Sequence, residues 1–169
     1  KDESDHINHH YVFEFGSIIN TTTHAPWLSN QTDERADSAK TVTLPGQQAR
    51  ILARFGYRRG WNFRSNTGFT ALGLNIAKEE ERGMDINGVL FRITEEMLAD
   101  FDRREVGYDR VEIMMEDIEL LAQGSSSYKE GEEGQAEMNE IPNGKMWVYI
   151  PQEASRVEAN EDHPILQSY

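Results

Sequence analysis

A chain of 169 residues with 37% hydrophobic and 28% charged positions has the length of one ordinary domain with a real core, and no apolar run approaches the ~20 residues of a membrane-crossing helix. The formal net charge of -13 speaks against nucleic acid as a partner, because phosphate binding depends on Lys and Arg contacts, and it favours solubility. With no cysteine there is neither a disulfide framework nor a thiolate site, so packing must stabilise the fold. The sequence starts at Lys1 rather than Met, which suggests that a leader or upstream segment has been removed or was not observed, and the expected location is a soluble compartment, cytoplasmic or organellar.

Residues 1–10 are polar and aperiodic and read as a flexible tail before a single domain over 11–169. A short strand fits "YVFEF", where Tyr11, Phe13 and Phe15 alternate with Val12 and Glu14, and Gly16-Ser17 closes it with a turn. Residues 20–40 are rich in Thr, Asn, Asp and Ser and predict a long loop. They carry two sequons, "NTT" and "NQT", that matter only in a secreted protein. From "TVTLPG" onward come short apolar runs, "ARILARFGYRRGWNF", "TALGLNIA" and "INGVLFRI", punctuated by glycines at 56, 60, 68, 73, 83 and 88. That pattern predicts strands with turns and bulges.

The period then changes. "TEEMLADFDRRE" predicts a helix capped by Thr94, with Glu95 and Glu96 at its positive end and an apolar stripe of Met97, Leu98 and Phe101. Gly107 lies where it should stop. "RVEIMMEDIELL" fits a strand or a short helix equally, and residues 122–145, rich in Gly, Ser and Glu, predict a mobile loop. "MWVYI" is a strand candidate, and "ILQSY" begins a last apolar run.

Four pieces stand in order: "FGS" after the first strand, "GYRR", "GVLF" before a helix carrying "DRREVGY", and "WVYI". This ordered set resembles the gamma-glutamylcyclotransferase superfamily, including its ChaC-type glutathione-degrading branch. The resemblance covers most of residues 11–169, and "HPILQSY" looks like the start of a helix that continues further in relatives. It implies an α+β fold, a small mixed or mostly antiparallel β-barrel-like sheet with flanking helices. It also implies a lyase of glutathione metabolism that needs no metal or organic cofactor.

In that family a Tyr-Gly-Ser segment binds the gamma-glutamyl group through its backbone, which corresponds here to Phe15, Gly16, Ser17 and Ile18. Phenylalanine keeps the ring of the family's tyrosine and loses its hydroxyl. Glycine lets the backbone approach a ligand closely. The family's catalytic acid-base glutamate corresponds to Glu105, and Tyr108 and Tyr149 stand where relatives have tyrosines near the ligand. The implied reaction is intramolecular. The alpha-amine of a gamma-glutamyl group attacks its own side-chain carbonyl, giving 5-oxoproline and a free amine or peptide.

Composition alone does not single out Glu105, since one glutamate among 30 acidic residues is ordinarily surface charge. A useful base must be desolvated, so Glu105 should face inward while Arg103 and Arg104 face solvent. Arg50, Arg54, Arg58, Arg59 and Arg64 form a basic cluster that fits surface ion pairs, with one or two able to meet an anionic substrate. His6, His9 and His10 resemble a metal group in composition but lack a structured partner residue, and Met114-Met115 fits a sheet edge. Beside the enzyme stands a second reading, a non-catalytic binding or structural subunit that retains the fold within a larger assembly, with a protein partner.

Overall fold

The computed structural model describes residues 9–16, 46–78, 83–121 and 144–165. The loop expected at 20–40, both sequons, and most of the 122–145 segment lie outside these residues.

The centre is β1 (His9–Glu14), which starts two residues earlier than the expected tail allows. It pairs in parallel with β8 (Gly144–Pro151) and antiparallel with β5 (Ile86–Ile93). Outward from β8 lies β6 (Tyr108–Ile113), and outward from β5 lie β2 (Gly46–Ile51) and β7 (Ile118–Leu120). The sheet order is β6-β8-β1-β5-β2-β7. β3 (Tyr57–Arg64) and β4 (Thr70–Ile76) form a separate antiparallel hairpin, bulged between Trp61 and Phe63. The expected mixed, mostly antiparallel α+β architecture is present, with one α-helix among the described residues, α1 (Glu95–Arg104). The main sheet is open. β6 and β7 are its edges, and the hairpin packs against β8 where Gly73 meets Pro151, without closing a hydrogen-bonded ring.

Strand alternation sorts the core into two halves. Tyr11, Phe13 and Phe15 point to one face of the sheet, where they pack with Ile51, Leu90, Ile150 and Leu74 of the hairpin. Val12 points to the other face, where Phe91, Ile93 and Tyr149 meet Leu98 and Phe101 of α1. Both faces of β1 are therefore covered, so Glu14, which shares the parity of Val12, is buried as well. The close packing along β1 depends on Gly88. A Cβ there would lie 2.3 Å from the Glu14 carbonyl oxygen and 2.5 Å from Phe13 Cζ.

The Thr94 hydroxyl oxygen accepts a hydrogen bond from the Met97 N–H at 3.2 Å, which starts α1 as the sequence predicts. The ambiguous 110–121 stretch is resolved as strand. β6 ends at Ile113, a single 3-10 turn spans Met115–Asp117, and β7 follows. Strand wins because β6 finds a partner along its whole length in β8. Gly144 and Lys145, assigned to the acidic loop by composition, open β8 instead, where β1 supplies their ladder partners. Ile165 bridges to Thr70, and residues 166–169 lie outside the described part.

Candidate active site

A cleft of about 810 Å³ opens where the end of β1, the end of α1 and the hairpin converge. Phe15 and Gly16 line it from β1, Phe63 and Arg64 from β3, and Arg104 to Tyr108 from the end of α1. Of the residues the sequence singled out, Phe15, Gly16, Glu105, Tyr108 and Tyr149 meet here. Ser17 and Ile18 lie outside the described residues.

Glu105 caps α1. Its N–H donates to the Phe101 carbonyl at 2.9 Å, while its own φ of -81° and ψ of 51° turn the chain out of the helix. Its side chain is 14% exposed, and burial raises its pKa above the ordinary carboxylate value against the opposing charge of Arg104. The negative end of the helix acts in the same direction as burial. The expected orientation holds, with both arginines exposed and Glu105 turned inward. Arg103 pairs with Asp100, and Arg104, at the rim of the cleft, brings its Nε to 3.7 Å from Glu105 Oε1.

Gly107, at a φ of 91°, delivers Tyr108 to the cleft, where its ring stacks on Phe63 at 4.1 Å between centroids. Tyr149 contributes its ring to the wall, but its hydroxyl turns toward α1 and donates to Asp102 Oδ1 at 2.8 Å. Burial, followed by the bond to that carboxylate and its charge, raises the phenol pKa far above its ordinary value. Asp102 also accepts from Arg110 Nη1 at 2.7 Å, so this tyrosine is an oriented wall residue.

One cleft residue was missed by sequence reasoning. Glu14 is 9% exposed, and its pKa rises to about 8, chiefly through burial and then through the charge of Glu105, with Arg104 opposing. Alternation with three aromatics did not single it out. The missing signal was the Met97, Leu98 and Phe101 stripe, which had to cover the second face of some strand.

Among the five arginines of the basic cluster, Arg64 lines the cleft. Arg50 pairs with Glu119 and Asp85, Arg54 with Asp117, and Arg59 donates to the Asn87 carbonyl, as expected of surface cations in an acidic protein. His9 contacts Arg92, and His10 Nδ1 accepts from Trp147 Nε1 at 3.2 Å, so both are engaged in β1 packing. His6 lies outside the described residues. Among the described residues no helix is long and apolar enough to cross a membrane.

No family model matches the sequence, and no curated protein matches it. Among solved structures that resemble it is a glutathione-specific gamma-glutamyl cyclotransferase from yeast, with 13% identity over 91% of this chain and 73% of that one, at a TM-score of 0.50. YkqA from Bacillus subtilis is similar at 18% identity and a TM-score of 0.49, over 90% of this chain, which spans 43% of that protein. A protein of Arabidopsis thaliana solved in solution has 17% identity over 91% of this chain and 71% of its own, with a TM-score of 0.48. The class is thereby set: the chain has the gamma-glutamylcyclotransferase-like fold. At this identity the likeness concerns the fold alone, and the activity has to be argued from the cleft.

Proposed function

We propose that the protein is a gamma-glutamyl cyclotransferase acting on glutathione or a related gamma-glutamyl compound. The observation that carries this reading is Glu105, a desolvated carboxylate with a raised pKa, lining the same cleft as the Phe15-Gly16 backbone. A carboxylate moved toward neutrality is a better base than free glutamate, and general acid-base help is worth roughly 10² to 10⁴ in rate.

In the proposed reaction Glu105 takes a proton from the alpha-ammonium. The freed amine nitrogen attacks the gamma-carbonyl carbon, and a carbon–nitrogen bond closes the five-membered ring. The carbonyl oxygen becomes an oxyanion, which the backbone N–H of Gly16 at the cleft wall would be suited to receive. When the oxyanion collapses, the bond to the outgoing nitrogen breaks and Glu105 returns its proton to that nitrogen; the second proton left on the ring nitrogen by the attack then passes through Glu105 to the departing amine, which leaves as an ammonium. The products are 5-oxoproline and the released amine or peptide, with the enzyme unchanged. The substrate must fold back on itself, so the stacked Phe63 and Tyr108 and the ring of Phe15 would serve to hold that conformation.

Two features favour the alternative, a non-catalytic binding subunit with this fold. Phe15 lacks the hydroxyl of the family's tyrosine, and Arg104 opposes the basicity of Glu105 from 3.7 Å. The test is 5-oxoproline release from glutathione and from gamma-glutamyl amino acids, with Glu105→Gln as the control. Release that depends on Glu105 supports the enzyme, and no release from any of these compounds supports the subunit.

A further inference from the structure

A second carboxyl and a guanidinium face this cleft with no part in the proton transfer just described. Glu14 is nine-tenths buried and lines the cleft beside Glu105. Burying a carboxyl next to a second carboxyl destabilises a fold, and an apolar side chain would fill the same space at no such cost. From β3 the cleft is lined by Arg64, whose Nε and Nη2 are buried without a hydrogen-bond partner. A guanidinium with unmet donors in a cleft is suited to receive a carboxylate.

We propose that Glu14 is a ligand-binding residue that takes the primary ammonium of a zwitterionic ligand, while Arg64 takes one of that ligand's carboxylates. The assignment rests on the cyclotransferase reading for the ligand, a gamma-glutamyl compound, which carries both groups. Among the described residues, the charged and titratable groups around Glu14 are Glu105 and Arg104 at the end of α1, with Arg64, Tyr108 and Tyr149 also lining the cleft. In β5 its ladder partner is Val89, and its carbonyl oxygen lies against Gly88.

The assignment has a thermodynamic signature. In the empty cleft at neutral pH, Glu14 holds its proton, because burial and the neighbouring Glu105 disfavour its charge. An arriving ammonium favours the carboxylate, so binding releases a proton. Once ionised, Glu14 also adds negative charge beside Glu105, which makes Glu105 the stronger base.

The experiment is isothermal titration at pH 7 in two buffers of different ionisation enthalpy, using Glu105→Gln protein so that no turnover occurs. The probes are glutathione and gamma-glutamylalanine, each beside its glutaryl counterpart, which lacks only the amine. The Glu105→Gln protein is expected to bind the amines at least about tenfold more tightly than the glutaryl compounds, with proton release. Adding Glu14→Gln should abolish both the preference and the release. Arg64→Met should weaken all four probes alike and leave the preference intact. A purely structural Glu14 would affect the amines and the glutaryl compounds equally.

The proposal is overturned if the Glu14→Gln, Glu105→Gln protein keeps the tenfold preference, or if neither amine binds the Glu105→Gln protein. If the wild type makes no 5-oxoproline yet the binding pattern holds, the cyclotransferase reading fails and the assignment of Glu14 stands. If 5-oxoproline is made and the amine preference survives Glu14→Gln, the reverse is true.

Discussion

Replacing Glu14 by glutamine should stabilise the protein, by an amount that grows with pH. In the unfolded chain this carboxyl titrates near 4.5, and in the folded protein near about 8. Below pH 4.5 it is protonated in both states, and its ionisation costs nothing. As pH rises toward 8 the unfolded chain releases the proton while the folded protein keeps it, so the folded state loses ground; above 8 the loss is complete. Linkage gives a cost of about 1 kcal/mol at pH 5 and about 5 kcal/mol at pH 9, a difference of about 4 kcal/mol. Glutamine does not titrate, so the variant escapes this loss. Urea unfolding of both proteins at pH 5, 7 and 9 measures it. With a slope of about 2 kcal/mol per molar urea, the separation of the midpoints should widen by about 2 M between the extremes. Profiles that stay parallel across this range would refute the burial argument, since a carboxyl that titrates alike in both states contributes no pH dependence.

Other changes test separate parts of the account. Glu105→Gln should lower the turnover of a gamma-glutamyl substrate by roughly 10² to 10⁴ without changing the circular dichroism spectrum. In the wild type kcat/KM should rise with pH through the raised range of the Glu105 carboxyl, since the base works deprotonated, and the pH-rate profile checks this. Gly88→Ala would set a Cβ against the Glu14 carbonyl oxygen and the Phe13 ring, and should cost about 3 kcal/mol in chemical denaturation. Thr94→Ala removes the acceptor at the start of α1 and should cost about 1 kcal/mol by the same measurement.

The parts of the molecule legible in the sequence are those governed by neighbours along the chain. The alternation of "YVFEF", the capped helix from Thr94 to Glu105 and the "MWVYI" strand are local patterns, and all are present. The ordered motifs led to Glu105, Phe15, Gly16, Tyr108 and Tyr149, which share one cleft. What stayed hidden depends on partners distant in sequence. Glu14 was not singled out because α1, which covers its face, arrives some eighty residues later. The 110–121 stretch was ambiguous because β6 becomes a strand through pairing with β8, across a long intervening segment. The commitment of the Tyr149 hydroxyl to Asp102 is likewise a tertiary fact that no spacing announces.

The most direct measurement is proton NMR of glutathione incubated with the wild-type protein and, separately, with Glu105→Gln. The account predicts 5-oxoproline and cysteinylglycine accumulating in equal amounts with the wild type, and at least about a hundredfold more slowly with the variant. Equal rates for the two proteins, or no 5-oxoproline from glutathione or any gamma-glutamyl amino acid, would contradict it.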